Sequence, residues 1–437
     1  MSKQVLLDRR GFLRGGASVA MAAVLGSSET LAAEAGEKPK IRPLEGKMDY
    51  ESIRKRAREM MMPRCYVCPE CNGRGPCVGQ VPGFGGMGAS RGFQANYDSL
   101  AAVQLNSRVI HGVHVPDTSI DFFGTKISMP AVAAPTGGTT CNMGGKLTEK
   151  EFVTAICGGC TKAGTLGAVA DGIGDPLPVF EERLQTLKSL GYKAIVGLKP
   201  RLNKDIIERM KLAEQAGVVA LTIDLDSAGR AARATKGQTV EPKTFEQLKE
   251  LVSASPLPLL FKGIMTPDEA ELCVQAGAAG IVVSNHGGRT LADTPGTAAV
   301  LPRIADKVNG RCYIMVDGTV ARGTDVEKYL ALGAQCTLVG RHFVRAAHGG
   351  LEDGVALFAN KIKSELAVAM VLTGAQRISD INRKMIVIPP EYLARGESLM
   401  MLPASETPRS ISRLATPGPS IGRLLLKRKA GNIKASA

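Results

Sequence analysis

One of the five histidines in this 437-residue chain stands in a setting that suits catalysis. His286 lies in the run 284–289 (Ser-Asn-His-Gly-Gly-Arg), at the end of an apolar stretch. An imidazole exchanges protons near neutral pH. The two glycines remove side-chain bulk beside it, and Arg289 places a positive charge within reach. We therefore predict that His286 is catalytic rather than an ordinary surface histidine.

Other polar residues also follow apolar runs that are typical of buried strands. Catalytic groups of parallel barrels lie at the carboxyl ends of the strands. The residues at such positions are Lys199, Asp224, Lys262, Asp317, Gly340 and Arg341. Two structural alternatives apply. Lys262 and Asp224 could form an ion pair at the barrel mouth, and Arg341 could be a surface arginine.

A cysteine cluster precedes the regular part of the chain. Cys65, Cys68, Cys71 and Cys77 have the spacing C-x2-C-x2-C-x5-C within thirteen residues. Four such thiolates can bind an iron–sulfur cluster such as [4Fe-4S], and the first three match a ferredoxin-type run. Zinc also accepts four cysteines, and the alternative to a metal is a pair of disulfides. The other cysteines are expected in the core: Cys141, Cys157, Cys160, Cys273, Cys312 and Cys336.

Eight short apolar runs alternate with stretches of helical length. The runs are 127–135, 166–171, 193–200, 218–226, 258–264, 280–288, 312–318 and 336–341. Thr148, with Glu151 three residues later, is typical of a helix start. Continuous apolar strands that alternate with helices indicate an α/β fold with a parallel sheet. The count of eight favours a closed TIM (β/α)8 barrel over an open doubly wound sheet.

These patterns divide the chain into a barrel and its extensions. Residues 36–126 form an irregular N-terminal extension with the cysteine cluster, 127–385 form the barrel, and 386–437 form a C-terminal extension. From Pro403 onward there are seven basic residues against one acidic residue, which predicts a disordered, solvated tail. The net charge of +14 suits an anionic cofactor and substrate. Aromatic residues make up only 4% of the chain, so we expect no nucleic-acid partner.

Residues 1–35 have the pattern of an export signal. Arg9 and Arg10 form a twin-arginine motif, residues 15–26 are weakly apolar, and residues 33–35 (Ala-Glu-Ala) resemble a signal-peptide cleavage site. The apolar stretch is too short for a membrane span, which needs about 20 apolar residues. The segment resembles a twin-arginine (Tat) signal. This predicts the Tat machinery as a partner and a periplasmic or extracellular location, and it favours a redox enzyme because the Tat route carries folded, cofactor-loaded proteins.

Several ordered motifs carry a resemblance to a known family. They are 134–136 (Ala-Pro-Thr), 222–224 (Thr-Ile-Asp), 260–264 (Leu-Phe-Lys-Gly-Ile), 284–289, 317–326 (Asp-Gly-Thr-Val-Ala-Arg-Gly-Thr-Asp-Val), 332–334 (Leu-Gly-Ala) and 340–341 (Gly-Arg). In this order they resemble the FMN-dependent 2-hydroxy-acid oxidases and dehydrogenases, such as glycolate oxidase and lactate oxidase. The resemblance covers about residues 95–385 and is specific, because the motifs are long and ordered.

The resemblance implies a role for each catalytic position. His286 would take a proton from the α-carbon or hydroxyl of a small L-2-hydroxy acid, and Arg289 would bind its carboxylate through two hydrogen bonds. Asp224 would sit behind His286 and stabilise the imidazolium form. Lys262 would lie at the N1/O2 edge of FMN and favour the anionic reduced ring. The electrons would pass to oxygen, a quinone or another external acceptor.

The resemblance also implies which residues bind FMN. Those that would contact the flavin ring or the ribityl chain are Ala134, Pro135, Thr136, Thr222 and Ser284. Asp317 would hold a ribityl hydroxyl, and Gly318, Gly340 and Arg341 would surround the phosphate. This agrees with the usual phosphate position in such barrels, after strands seven and eight.

The chain departs from the family pattern around the phosphate and the substrate. Thr319 and Ala321 replace a glycine and an arginine, so one phosphate ligand is lost unless Arg322 substitutes for it. Lys199 stands where the family has a substrate-binding tyrosine, and Cys68 falls near the position of a second one. We therefore expect a retained redox core with a rebuilt substrate pocket, in which Lys199 contacts the substrate.

Two other functions stay open at this point. A flavin barrel can isomerise its substrate without net redox, as type 2 isopentenyl-diphosphate isomerases do, and a turnover assay separates the two. A degenerate barrel could instead bind a ligand without catalysing a reaction. The altered phosphate loop suggests this alternative, whereas the retention of His286 with Arg289 opposes it. The sequence leaves open the identity of the 2-hydroxy acid, the acceptor and whether the chain forms a homo-oligomer.

Overall fold

Eight parallel strands form the central sheet in a computed structural model that describes residues 46–173, 175–233 and 240–393. The strands are β1 (Ala131–Ala133), β2 (Gly167–Ala170), β3 (Ala194–Leu198), β4 (Ala220–Asp224), β5 (Leu259–Ile264), β6 (Gly280–Val283), β7 (Tyr313–Val316) and β8 (Cys336–Val339). Hydrogen bonds join them in the order β1, β8, β7, β6, β5, β4, β3, β2. The N–H of Ala133 donates to the carbonyl of Leu166 at 3.0 Å, which brings β1 beside β2 and nearly closes the sheet. The predicted TIM barrel is confirmed.

The barrel strands are buried because side chains fill the inside and helices cover the outside. Six of the eight strands are buried at every residue, as expected for a parallel sheet covered on both faces. The helices are α1 (Tyr50–Met61), α2 (Arg91–Ala102), α3 (Thr139–Asn142), α4 (Glu149–Lys162), α5 (Leu177–Leu190), α6 (Asn203–Gln215), α7 (Phe245–Ala254), α8 (Pro267–Gln275), α9 (Thr297–Val308), α10 (Gly323–Leu332) and α11 (Arg341–Thr373). Helix α11 bends at Leu351, whose backbone is not helical.

The helix start predicted at Thr148 is confirmed. The N–H of Glu151 donates to the Thr148 hydroxyl at 3.1 Å, and the Glu151 carboxylate accepts from the Thr148 N–H at 2.8 Å. This capping box satisfies backbone groups that the first helical turn leaves without partners. It fixes the residue at which the loop after β1 ends and helix α4 begins.

The segment before the barrel pairs with the C-terminal part of the described chain and forms a local hairpin of its own. Residues 104–105 pair antiparallel with 386–387, and 120–122 form a hairpin with 125–127. The predicted export signal and basic tail lie outside the described residues. In the described part, no helix is both long enough and apolar enough to cross a membrane.

Candidate active site

A cavity of about 780 Å³ opens at the carboxyl ends of the barrel strands. Most residues predicted from the sequence line it: Ala134, Pro135, Thr136, Lys199, Lys262, His286, Arg289, Asp317, Gly318, Gly340 and Arg341. Thr222, Asp224 and Ser284 are buried and do not line it. The barrel therefore brings together residues that are up to about two hundred positions apart in the chain.

His286 is held in one orientation by its neighbours. Its backbone has φ +57°, an uncommon conformation for a residue other than glycine. Its backbone N–H donates to the Ser284 hydroxyl at 3.0 Å. Its Nδ1 lies 3.1 Å from both carboxylate oxygens of Asp226. Because a carboxylate only accepts hydrogen bonds, Nδ1 carries the proton and Nε2 is the basic nitrogen.

The electrostatics of the site favour the neutral imidazole. Burial lowers the pKa of His286 well below its usual value, the positive charge of Lys262 adds to this, and Asp224 opposes it. A neutral histidine can accept a proton, whereas an imidazolium cannot. His286 is therefore ready to act as a base at neutral pH.

Asp226, which the sequence did not indicate, makes the direct contact with Nδ1 of His286, whereas the charge of Asp224 favours the imidazolium form as predicted. Asp226 lies two residues past the end of β4, and Gly263 makes room for it because a Cβ there would lie 2.7 Å from the Asp226 Cβ. Asp224 binds Lys199, whose Nζ lies 2.5 Å from Oδ2. The lysine at the position of the family's tyrosine supplies a cation that holds this carboxylate.

Lys262 is a buried cation between two carboxylates. Its Nζ lies 3.7 Å from Asp224 and 3.6 Å from Asp317, so the ion pair considered from the sequence is present. Burial opposes the charged form of Lys262, but Asp224 and Asp317 outweigh it and raise its pKa. Burial likewise opposes ionisation of Asp224, but Lys199 and Lys262 outweigh it and lower its pKa. Lys262 therefore supplies a fixed positive charge to the cavity.

Arg289 lies in the same cavity as His286, and its position depends on a residue that sequence reasoning missed. Its Nη2 donates to Oδ1 of Asn142 at 3.0 Å. Asn142 ends the short helix α3 after β1 and also donates to the carbonyl of Gly137 at 3.2 Å. No motif marked Asn142, because its role arises only when the loops after β1 and β6 meet.

Two buried polar atoms at the base of the site fit a hydroxyl-bearing cofactor. The hydroxyl of Thr222 and Oδ1 of Asp317 have no hydrogen-bond partner among the described residues. The second oxygen of Asp317 accepts from Ser284 at 2.8 Å. Buried polar atoms normally have partners, so these two atoms fit the polar edge and ribityl hydroxyls of the FMN implied by the family resemblance.

Arg341 lies where the phosphate end of that cofactor is expected. It stacks 3.7 Å from the ring centre of Phe93 and donates to the carbonyls of Phe84 and Gly287, each at 3.0 Å. Within the described ranges it makes no ion pair with a carboxylate, and burial lowers its pKa. Arg322, the predicted substitute phosphate ligand, does not line this cavity but a neighbouring one of about 570 Å³.

The glycine-rich run 83–92 packs directly on the loop 284–289 that carries His286, which the sequence did not indicate. The N–H of Met87 donates to the carbonyl of Gly288 at 2.7 Å. Gly288 has φ +73°, and a Cβ there would lie 2.3 Å from the Phe93 backbone nitrogen. Nearby, the side-chain amide of Asn96 donates to Asn285 at 2.7 Å. The N-terminal extension is therefore part of the site.

The cysteine cluster lies against the first turns of α11. Nη2 of Arg345 donates to Sγ of Cys71 at 3.1 Å. Burial opposes the charge on Arg345, but the Cys71 and Cys65 thiols outweigh it and raise its pKa. Burial raises the pKa of Cys77, and the neighbouring Cys71, Cys65 and Cys68 add to this effect. Arg345 therefore lies against Cys71, on the side of α11 that faces the cluster.

The structure differs from the sequence prediction in how these thiols are arranged. In the described part of the chain, no three histidines, cysteines or acidic residues are placed to share one metal ion. All ten cysteines are free, so neither disulfide of the alternative is formed. Cys141 is exposed rather than in the core, while the other five outside the cluster are buried as predicted. Arg345, in the first turns of α11, lies on the side of the cluster that faces this helix. No motif in the sequence indicated it.

Comparison with known proteins identifies the family. The model for "FMN-dependent dehydrogenase" matches residues 84–244 and 231–388, which is most of the chain. The chain belongs to the FMN-dependent dehydrogenase family. As a member, it is a flavin-dependent oxidoreductase.

Similar proteins cover the same part of the chain. It is 34% identical to a 2-hydroxyacid oxidase of Dictyostelium discoideum over 68% of this chain and 83% of the relative. It is 32% identical to the peroxisomal (S)-2-hydroxyacid oxidase GLO3 of Arabidopsis thaliana, over 71% and 92%. A crystal structure of mandelate oxidase with (S)-4-hydroxymandelic acid is 25% identical with a TM-score of 0.63, covering 77% of this chain and 97% of that one.

Proposed function

We propose that this FMN-dependent dehydrogenase oxidises an L-2-hydroxy acid to the 2-oxo acid, with His286 as the base. The observation that carries the proposal is the pairing of His286 with Asp226 in the cavity that also holds Arg289 and Lys262. Relatives that cover more than two thirds of the chain are named as 2-hydroxyacid oxidases. This supports oxidation over isomerisation or binding without catalysis.

Each residue of the site is proposed to have a separate role in the reaction. Arg289 binds the substrate carboxylate, which places the α-carbon and its hydroxyl near Nε2 of His286. His286 removes a proton, and Asp226 stabilises the imidazolium that forms. When bound, FMN supplies the two-electron acceptor for this oxidation. Lys262 supplies positive charge where negative charge develops.

The pocket wall around the substrate differs from the family pattern because Lys199 replaces a tyrosine. Its ammonium group is bound to Asp224 at 2.5 Å and lines the cavity. We propose that Lys199 contacts the substrate and that Asp224, which does not line the cavity, acts on His286 only through its charge.

The proposed FMN contacts follow the same geometry. The residues proposed to hold the ring and the ribityl chain are Ala134, Pro135, Thr136, Lys262 and Asp317, which line the cavity, and Thr222, whose buried hydroxyl has no partner among the described residues. Ser284 is proposed from the family resemblance alone. Gly318, Gly340 and Arg341 are proposed to surround the phosphate. Arg341 uses Nε and Nη2 for backbone carbonyls, which leaves Nη1 for a phosphate oxygen.

Three further parts of the proposal rest on the sequence. The twin-arginine segment supports export by the Tat route. An exported enzyme passes its electrons to oxygen, a quinone or another external acceptor. The spacing of Cys65, Cys68, Cys71 and Cys77 supports a bound metal, either as an iron–sulfur cluster or as zinc.

A turnover assay tests the proposed reaction against its alternatives. The FMN-loaded protein is incubated without oxygen with glycolate, lactate or mandelate and an artificial two-electron acceptor, and the 2-oxo acid is measured with the reduced acceptor. The proposal expects the two products in equal amounts. Conversion of an allylic diphosphate without acceptor reduction would support the isomerase, and no turnover with any acid in the presence of tightly bound FMN would support a binding protein.

The low pKa of His286 predicts that the rate of flavin reduction does not fall at mildly acidic pH. The histidine must be neutral to act as a base, and its pKa is lowered well below its usual value of about 6.5. The rate of flavin reduction at saturating substrate should therefore stay constant from pH 7.5 down to about 6. Rapid mixing at each pH measures this rate. A fall to half the rate at or above about pH 6.5 would contradict the assigned environment.

Arg289→Lys should weaken substrate capture more than it slows the chemical step. A lysine keeps the positive charge but loses the planar fork that binds a carboxylate through two hydrogen bonds. We expect KM to rise by about tenfold to a hundredfold, which corresponds to the loss of one charged hydrogen bond. The limiting rate should change less. Arg108→Lys, at an exposed position, is the matched control, and an unchanged KM in Arg289→Lys would remove Arg289 from the substrate site.

A further inference from the structure

A second cavity adjoins the active-site cavity at the position proposed for the FMN phosphate. It has a volume of about 570 Å³, and the wall that it shares with the active-site cavity is formed by Cys71, Thr319 and His342. Thr319 lies in the loop after β7, and His342 is the second residue of α11, the helix after β8. Barrels of this kind bind phosphate at these two places. The two cavities therefore meet where the phosphate is expected.

The first turn of α11 offers backbone groups to an anion at this shared wall. The residue before the helix is Gly340, and no side chain caps this end. In the described chain, the first backbone hydrogen bond of the helix runs from the N–H of Val344 to the carbonyl of Gly340, at 3.2 Å. The N–H groups that precede Val344 in the helix can therefore bind a ligand, and the helix dipole favours a negative one.

The second cavity adds positive charge to the same place. Its charged lining residues are mostly basic: Arg54, Arg322, Lys328, Arg345 and Lys361, against Glu70 and Asp325. Their effect is seen at His342, in the shared wall. Burial lowers the pKa of this imidazole well below its usual value, and the positive charges of Arg345 and Arg341 lower it further. The shared wall therefore lies in a positive potential that suits an anion.

Arg345 is the buried cation of this cavity, and its guanidinium lies at the shared wall. Its exposure is 9%, and its Nε has no hydrogen-bond partner in the part of the chain that the structure describes. Its Nη2 donates to Sγ of Cys71 at 3.1 Å, and Cys71 lines both cavities. A buried cation that makes no ion pair with a carboxylate is costly. An anionic ligand at the shared wall would remove this cost.

Arg345 also lies one helical turn after Arg341. Residues four positions apart lie on the same face of a helix. Burial lowers the pKa of Arg341, Cys71 opposes this, and the positive charge of Arg345 adds to the lowering. The two guanidinium groups therefore repel each other across a short distance. A phosphate bound by both would replace this repulsion with two attractive contacts.

We propose that Arg345 is the second arginine of the FMN phosphate site and replaces the one that the chain lacks at Ala321. Arg341 binds the phosphate from the active-site cavity, and Arg345 binds it from the second cavity. Arg322, the substitute predicted from the sequence, is exposed, and a solvated charge contributes less than a buried one. The inference concerns the binding of the cofactor, so it stands whether or not the substrate is a 2-hydroxy acid.

Titration of the apoprotein with FMN and with riboflavin, the same flavin without the phosphate, tests this assignment. The ratio of the two affinities measures what the phosphate contributes. Arg345→Met should lower this ratio by about tenfold to a hundredfold, the range for one charged hydrogen bond, and should leave the riboflavin affinity unchanged. Arg322→Met, the matched control in the same cavity, should leave the ratio as it is. An unchanged ratio in Arg345→Met would overturn the proposal.

Two further variants separate phosphate binding from a purely structural role of Arg345. Arg345→Lys keeps the charge but loses the planar fork, so the ratio should fall part of the way, and this variant decides the question if Arg345→Met does not fold. In a chain that carries Arg341→Ala and Arg345→Met together, the two losses should not add, because both side chains bind one phosphate. Additive losses, or an equal loss of FMN and riboflavin binding in Arg345→Met, would place Arg345 outside the phosphate site.

Discussion

His286→Gln should slow substrate-driven flavin reduction by at least about a hundredfold, the usual scale for the loss of a general base. Glutamine keeps a hydrogen-bonding group of similar size, so the pocket should still bind FMN and substrate. It cannot accept a proton, so the step that His286 performs through Nε2 is lost. Rapid mixing of the FMN-loaded variant with substrate under anaerobic conditions measures the rate. A wild-type rate would show that His286 is not the base.

Matched variants separate the role of His286 from those of its neighbours. His114→Gln changes an exposed histidine and should have no effect. Asp226→Asn should cause part of the same loss of rate. It removes the carboxylate that lies 3.1 Å from Nδ1 and keeps the proton on that nitrogen. Asp224→Asn should alter the binding of Lys199 and Lys262 more than the base itself. If Asp224→Asn slowed flavin reduction and Asp226→Asn did not, the assignment of Asp226 would be wrong.

Arg341→Ala should weaken FMN binding by about tenfold to 150-fold, the range for one charged hydrogen bond of about 1.5–3 kcal/mol. Arg341 makes no ion pair with a carboxylate in the described part of the chain, so a phosphate is the anion that its position suits. The family arginine at Ala321 is missing, and Arg322 lines the other cavity. Neither position therefore compensates for the loss of Arg341. Titration of the apoprotein with FMN measures the affinity.

The same variant could fail by unfolding, and a second measurement separates the two outcomes. Arg341 also holds the carbonyls of Phe84 and Gly287 and stacks on Phe93, so its removal should lower the thermal midpoint of the apoprotein. Arg108→Ala, an exposed change, should alter neither property. Unchanged FMN affinity in a folded Arg341→Ala protein would contradict the proposed phosphate site.

The fold was predictable because each barrel strand is a continuous apolar run. Burial of both faces requires this pattern, and the eight runs coincide with the eight strands. The helix start at Thr148 was predictable for a similar reason, since capping is local. The strand ends then marked His286, Arg289, Lys262 and Asp317, which all line one cavity.

The contacts that depend on side-chain reach were not predictable from the sequence. Asp224 and Asp226 are both aspartates near the end of β4, and only the turn after the strand decides which one meets His286. The packing of 83–92 on the loop 284–289 is a long-range contact without a periodic signal in the sequence. The same holds for Arg345, because a single arginine near the start of a long helix carries no spacing pattern.

The most direct test of the account is anaerobic titration of the purified, FMN-loaded protein with a panel of 2-hydroxy acids, followed by its visible spectrum. We expect at least one L-2-hydroxy acid to bleach the flavin absorbance, with formation of one 2-oxo acid per FMN reduced. The D-enantiomer of that acid should leave the spectrum unchanged. A flavin that dithionite reduces but that no 2-hydroxy acid of the panel reduces would contradict the proposed function.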